Sequence, residues 1–168
     1  MKKPLLAGVG LVTAFALVAG PLALGHKGDD LTIAGPKPRV FDASEQESRD
    51  RDIRPAGASV GDEFLISQAL SEGGAVLGTA DTTCSYVRVV REAGNATPLA
   101  VSLQCRGVAQ IGPDLLTFQG LNSFTPNAPT PSRFVVTGGT GAFRDAVGEV
   151  RVTETGKGTS AMAVELKS

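Results

Sequence analysis

The sequence predicts an all-β domain, and three observations support this prediction. Short stretches in which apolar and polar residues alternate recur through most of the chain. Turn signals rich in glycine, proline and asparagine separate these stretches. Beyond the N-terminal segment, no window has the apolar spacing of a long helix. About eight short strands at this spacing are typical of a closed barrel or of a sandwich, and both remain open at this point.

The chain of 168 residues opens with a targeting segment. Lys2 and Lys3 precede an uncharged apolar stretch, residues 5–24, which glycines and a proline interrupt near its end. Small residues at that end fit cleavage before His26, so we predict a secretory signal peptide over residues 1–25 and a secreted, extracellular protein. The alternative is an uncleaved membrane anchor, because about 20 apolar residues are long enough to span a bilayer.

The charge balance argues against a nucleic-acid partner. The chain has 16 Lys and Arg residues against 17 Asp and Glu residues, and signal cleavage removes both N-terminal lysines. A phosphate backbone requires a basic patch, which this balance does not supply. We therefore expect no nucleic-acid binding and, after signal cleavage, no membrane contact. The single histidine, His26, lies outside the predicted domain, which excludes the usual histidine-assisted nucleophiles.

The predicted elements follow in order. Residues 26–38 are polar, contain glycine and proline, and are predicted to form a flexible linker before a domain at residues 39–168. The mixed-charge run SRDRDIRPAGAS after the first strand is predicted to be a solvated loop. The predicted strands cover residues 39–47, 60–70, 76–91, 99–111, 115–124, 133–137, 146–153 and 160–166.

The glycine-rich stretch GGTG, residues 138–141, has the composition of a phosphate loop or of a tight turn. A phosphate loop leads from a strand into a helix, whose N-terminal amides face the anion. Residues 146–153 instead alternate apolar and polar side chains, as a strand does. We therefore predict a strand-to-strand turn, in which glycine tolerates positive φ, and no nucleotide site.

The two cysteines are predicted to form a disulfide. Export into an oxidising compartment favours pairing of Cys84 with Cys105. If Gly94 and Asn95 form a two-residue hairpin turn, the register places the cysteines opposite each other at a non-hydrogen-bonded position, with Cα atoms about 4.5 Å apart. Pro98 would fall at a hydrogen-bonded position, so we expect a looser hairpin near its tip.

Three segments together resemble the allene oxide cyclase family, whose wider relatives include the plant dirigent proteins. The segments are SVGDEFLISQALSEGGAVLGTADTTC, LQCRGVAQIGPDLLTFQGL and FVVTGGTGAFRDAVGEV. The resemblance covers about residues 39–166. It implies an eight-stranded antiparallel β-barrel that encloses an apolar cavity and often assembles as a homotrimer.

The resemblance also implies a set of site residues. In allene oxide cyclases, a carboxylate and polar side chains that hold a water stabilise the charge that develops during ring closure, and a cysteine lies near the substrate. The family's glutamate falls on Asp42, and its two asparagines fall on Ser44 and Gln68. The cysteine falls on Cys84, which alone matches in identity. The shorter carboxylate of Asp42 argues against the family's own substrate.

Two functions follow, both with a small hydrophobic molecule as the partner. Phe64 and Ile66 share a strand face with Gln68 and are predicted to line the cavity with Cys84. The first function is exported cyclisation or isomerisation of a small apolar unsaturated ligand, without a metal or organic cofactor. The alternative is a non-catalytic, dirigent-like barrel that binds or orients small hydrophobic molecules. An enclosed Asp42 favours the first function, and a solvent-facing one favours the second.

Overall fold

A computed structural model describes residues 38–53, 57–95, 97–125 and 130–167. The strands in these residues form a closed antiparallel barrel in which each pairs with its neighbours in sequence and the last pairs with the first. The predicted eight-stranded barrel is confirmed, and the sandwich is excluded. The strands are β1 (Arg39–Arg51), β2 (Glu63–Glu72), β3 (Ala75–Val90), β4 (Ala100–Ile111), β5 (Asp114–Phe124), β6 (Ser132–Gly139), β7 (Gly148–Gly156) and β8 (Thr159–Leu166).

The predicted signal peptide, residues 1–25, and the linker up to residue 37 lie outside the described residues. In the described part of the chain, no helix is both long enough and apolar enough to cross a bilayer.

The first strand is longer than its sequence predicts. It continues past Glu47 to Arg51, and residues 48–51 pair with β2 after a register shift between Glu45 and Glu47. The prediction that the mixed-charge run is all loop is therefore wrong for its first four residues. The charged side chains of this run indicate only that it is exposed to solvent. Whether it forms a strand depends on hydrogen bonds between its backbone and that of β2.

One end of the barrel is filled by a tightly packed hydrophobic core. Alternate residues of the strands meet there, because successive side chains of a strand point to opposite faces. Phe143 lies in the 3₁₀ turn Gly141–Phe143 after β6, and its side chain closes this end of the core. Burial of the apolar side chains in the core supplies much of the favourable free energy of folding. The largest fully buried side chains are those of Phe41, Leu70, Ile111, Leu116, Phe143, Val150, Met162 and Val164.

The GGTG segment belongs to a strand-to-strand connection, as predicted: its first two glycines end β6, and Thr140 and Gly141 begin the turn toward β7. Gly141 has a φ of +51°, and a Cβ at Gly139 would lie 2.1 Å from the carbonyl oxygen of Leu115. The hydroxyl of Thr140 accepts a hydrogen bond from the Leu115 amide at 2.9 Å, which holds the turn against β5. The next element after the 3₁₀ turn is strand β7 rather than an α-helix. Gly139 is thus required by close approach and Gly141 by its positive φ.

Strands β3 and β4 place Cys84 opposite Cys105, as predicted, and a disulfide joins them with Cα atoms 4.0 Å apart. The predicted two-residue turn at residues 94–95 does not connect the strands directly, since both stop short of it. A register shift between Tyr86 and Arg88 compensates for the longer connection. The looser hairpin tip is therefore confirmed.

Candidate functional site

The end of the barrel opposite Phe143 holds an open cavity of about 750 Å³. Small-molecule sites in proteins have volumes of roughly 300–1,000 Å³, so a small ligand fits. The wall is mainly apolar, because the inward-facing residues of most strands are aliphatic or aromatic. Side chains that contribute most of this apolar wall are Phe64, Ile66, Leu103, Phe118, Phe134, Val152 and Met162.

Four of the predicted catalytic and cavity-lining residues lie together in this wall. Phe64, Ile66 and Gln68 lie on one face of β2, and Cys84 lies on the adjacent strand β3. Phe64 is directly opposite Cys84 in the β2–β3 ladder. The alternation that singled out these residues therefore corresponds to the inner face of the barrel.

Asp42 and Ser44 lie elsewhere. Both are exposed, and neither borders the cavity. Their neighbours Phe41 and Ala43 are buried, so the strand alternation directs Asp42 and Ser44 to the outer face. The expected position of Asp42 at a polar end of the cavity is therefore corrected.

Glu45 is the carboxylate that β1 contributes to the cavity. It continues the inward-facing series of Phe41 and Ala43, and it is the register partner of Gln68 on β2. Its backbone amide donates to the Gly158 carbonyl at 2.8 Å, which ties β1 to the β7–β8 turn. The alternation of Phe41, Ala43 and Glu45 was visible in the sequence and is the signal that identifies this residue.

Gln68 and Ser160 form a polar contact in the mainly apolar wall. Nε2 of Gln68 donates to Oγ of Ser160 at 3.2 Å, and Ser160 is only 6% exposed. Ser160 lies on β8, which pairs with β1 and so lies one strand away from β2. A carboxylate, an amide and a hydroxyl thus come from three neighbouring strands. Together they can hold a water or a polar atom of a ligand.

Tyr86 on β3 contributes a further polar group to the wall. Its ring packs edge-on against Phe64, with ring centroids 6.2 Å apart. Burial raises the pKa of the Tyr86 hydroxyl above its ordinary value, and the negative charges of Asp50 and Asp62 raise it further. The phenol therefore stays protonated at neutral pH and can donate a hydrogen bond.

Cys84 and Cys105 line the cavity as a disulfide, and the chain has no other cysteine. Neither residue offers a thiolate nucleophile in this state. Within the described residues, no group of three or more His, Cys, Asp or Glu side chains is placed to hold a metal ion.

Besides Glu45, sequence reasoning missed four residues that reach the cavity from β3, β7, β8 and the β7–β8 turn. Ser160 on β8 and Tyr86 on β3 reach the cavity only because the barrel closes. Glu154 on β7 and Lys157 in the β7–β8 turn border the open end of the cavity. No local motif marks any of these four residues.

No family profile matches the chain, and no curated protein matches it in sequence. Similar solved structures include a pyocyanin demethylase, with 22% identity and a TM-score of 0.64 over 77% of this chain and 99% of that one. The Diels-Alderase AbmU from Streptomyces koyangensis has 16% identity and a TM-score of 0.60 over 78% of this chain and 64% of that one. The pterocarpan synthase dirigent protein GePTS1 has 15% identity and a TM-score of 0.52 over 80% and 93%.

The chain has the fold of the cyclase and dirigent barrels. At these identities, the likeness shows the fold alone. This cyclase- and dirigent-like barrel agrees with the wider resemblance in its sequence, whereas the assignment to allene oxide cyclases in particular stays a prediction.

Proposed function

We propose that the barrel binds a small, mostly apolar, unsaturated molecule in its cavity and promotes the cyclisation or isomerisation of that molecule. The observation that carries this proposal is the hydrogen bond between Gln68 and Ser160 in a mainly apolar wall, together with Glu45, the register partner of Gln68. A site for simple apolar binding has no need of polar groups converging at one place.

The mechanism follows from confinement and electrostatics. The aromatic and aliphatic wall restricts a flexible ligand to few conformations, which lowers the entropic part of the barrier to ring closure. The Glu45 carboxylate, and a water or ligand atom held by Gln68 and Ser160, stabilise charge that develops as bonds rearrange. All bonds that break and form belong to one molecule, so atoms and electrons balance without an oxidant or a second reactant.

The similar structures support this choice of reaction class. One of them is a cyclase that catalyses a [4 + 2] cycloaddition, and another is a Diels-Alderase. Ring closure inside a barrel of this fold is therefore a chemistry that the fold accommodates.

The second candidate is a non-catalytic barrel that binds or orients small hydrophobic molecules. Two observations favour it: Asp42 points to solvent, and Glu45 itself is exposed at the open end of the cavity. An exposed carboxylate stabilises developing charge less than an enclosed one, because water screens it. The pterocarpan synthase dirigent proteins among the similar structures share this architecture.

The test begins with identification of the ligand. Native mass spectrometry of protein purified from its source detects a retained small molecule, and incubation with that compound reveals any product. We expect Glu45→Gln to lower the rate or product selectivity about tenfold or more while affinity is largely retained, since the change keeps shape and removes charge. Asp42→Asn is the matched control on the outer face of the same strand and should leave both unchanged.

Two results would redirect the proposal. Turnover by Glu45→Gln at the parent's rate and with the parent's product would support the binding barrel instead of catalysis by this carboxylate. A loss of turnover in Asp42→Asn, with the fold intact, would restore Asp42 as a catalytic residue.

Export and trimeric assembly are part of the proposal and rest on the sequence. N-terminal sequencing of the protein from the culture medium should begin at His26 if the signal peptide is cleaved as predicted. Light scattering coupled to size-exclusion chromatography measures the mass of the assembly directly. The mass of a monomer would contradict the predicted homotrimer.

A further inference from the structure

Negatively charged side chains outnumber positively charged ones at the open end of the cavity. Among the described residues that line the cavity, the charged ones are Glu45, Glu154 and Lys157. Glu45 comes from β1, Glu154 from β7, and Lys157 from the turn between β7 and β8. Two carboxylates and one ammonium group therefore face a ligand as it enters.

Two carboxylates act on Tyr86 at the β3 side of the cavity. Asp50 and Asp62 lie close enough to the Tyr86 hydroxyl to disfavour its negative phenolate form, which raises its pKa. Asp62 is held in place by the amides of Ile53 and Ser59, at 2.8 and 2.6 Å from its carboxylate oxygens. Two further carboxylates, those of Asp50 and Asp62, therefore act on Tyr86 in the cavity wall.

Three arginines near these strands are paired with carboxylates on the outside of the barrel. Arg133 and Arg151 both contact the carboxylate of Glu149, at 3.2 Å, on the outer face of the barrel. Arg51, at the end of β1, lies 3.7 Å from the carboxylate of Glu63. These guanidinium groups are occupied by carboxylates outside the cavity, so Lys157 is the cation that faces the ligand among the described lining residues.

We propose that the cavity selects apolar ligands that are neutral or positively charged and discriminates against apolar anions such as long-chain carboxylates. The inference rests on the proposed function, because it specifies the ligand of the same cavity. An anion that enters loses part of its hydration and meets mainly like charge, whereas a cation meets Glu45 and Glu154. Because these carboxylates are exposed, each contributes a several-fold preference rather than an absolute one.

The experiment compares three probes that share one apolar tail: decylammonium, decanol and decanoate. Equilibrium dialysis below their micelle-forming concentrations measures the dissociation constant of each at low ionic strength. We expect decylammonium and decanol to bind more tightly than decanoate, with about a fivefold contribution from each carboxylate. Displacement of decylammonium by decanol should show that both occupy the same cavity.

The variants locate the effect. Glu45→Gln and Glu154→Gln should each bring the dissociation constants of decylammonium and decanoate closer together, and Lys157→Gln should move them further apart; this difference in affinity is the gap measured below. Glu165→Gln, at an exposed position of β8 outside the cavity lining, makes the same charge change and should leave the gap unaltered. Raising the salt from 0.1 M to 1 M shortens the screening length from about 10 Å to about 3 Å and should shrink the gap in the parent protein.

The possible outcomes distinguish a failure of this inference from a failure of the proposed function on which it rests. Equal binding of the three probes, tighter binding of decanoate, or an identical effect of Glu165→Gln would overturn the charge selection while leaving a ligand-binding barrel in place. A failure of all three probes to bind saturably would overturn both the selection and the proposed ligand-binding function.

Discussion

Cys84 on β3 and Cys105 on β4 face each other in the cavity wall and are joined by a disulfide across the two strands. The bond closes a loop with a sequence separation of 21 residues that includes the whole β3–β4 hairpin tip. Because the tip itself is loosely paired, the disulfide is the covalent limit on how far these strands can separate.

Removal of this disulfide should destabilise the fold without abolishing it. We expect the Cys84→Ala/Cys105→Ala double variant to lose about 3 kcal/mol of unfolding free energy, because closing a loop of this length restricts the unfolded chain. Urea denaturation followed by circular dichroism measures the loss. A reductant should shift the parent's midpoint toward that of the double variant and leave the variant itself unmoved. Two free thiols in non-reducing peptide mapping of the parent would contradict the prediction.

The solid and the open ends of the barrel should respond differently to the same change. Phe143→Ala removes a ring that is 1% exposed from a packed core and should cost about 3–5 kcal/mol. Phe64→Ala removes a half-buried ring from the cavity wall and should cost less stability but weaken ligand binding. Thermal denaturation and dialysis with decanol measure the two effects. Equal destabilisation by the two variants would argue that the cavity is filled by the protein itself.

Gly139→Ala should damage folding through a steric clash. A Cβ at this position would lie 2.1 Å from the Leu115 carbonyl oxygen and 2.6 Å from Cβ of Phe143, so β6 and the 3₁₀ turn must move apart. We expect a loss of about 1–3 kcal/mol. Val135→Ala, at a side chain on β6 that is 58% exposed, is the control and should change stability by about 0.5 kcal/mol or less. A fully stable Gly139→Ala protein that had lost nucleotide binding would instead support a phosphate loop.

Tyr86 can be titrated without interference, because it is the only tyrosine and the chain has no tryptophan. In the folded protein, the phenolate absorbance should appear at a pH above the ordinary value of 10.0, and in denaturant the midpoint should return to it. Asp50→Asn should lower the folded midpoint, since it removes one of the charges that raise this pKa.

The stability consequence of this shift has a definite sign. A raised pKa means that the folded state holds the Tyr86 proton more tightly than the unfolded state does. Its stabilising contribution is complete below the unfolded pKa and is lost as pH rises from there through the folded pKa. Tyr86→Phe should therefore lose less stability than the parent between neutral and strongly alkaline pH. A parallel loss in both proteins would assign the alkaline effect to other groups.

The sequence by itself determined the positions of the strands and the pairing of the cysteines. Alternating apolar and polar residues mark a strand locally, and an antiparallel ladder extends its register residue by residue from one turn. Counting from the expected two-residue turn placed Cys84 opposite Cys105; the tip differs from that turn, and the register shift between Tyr86 and Arg88 preserves the pairing. Likewise, the strand that follows GGTG was enough to reject a phosphate loop.

The tertiary structure alone decided which polar groups share the cavity. Asp42 was placed by resemblance, but the pairing of β1 with β2 and β8 buries Phe41 and Ala43, so the inward carboxylate is Glu45. The Gln68–Ser160 contact joins β2 to β8, which lie near opposite ends of the domain in sequence. Local patterns define the two faces of each strand. Which face is inner, and which distant residues meet across it, depends on closure of the barrel, because only closure brings the first and last strands together.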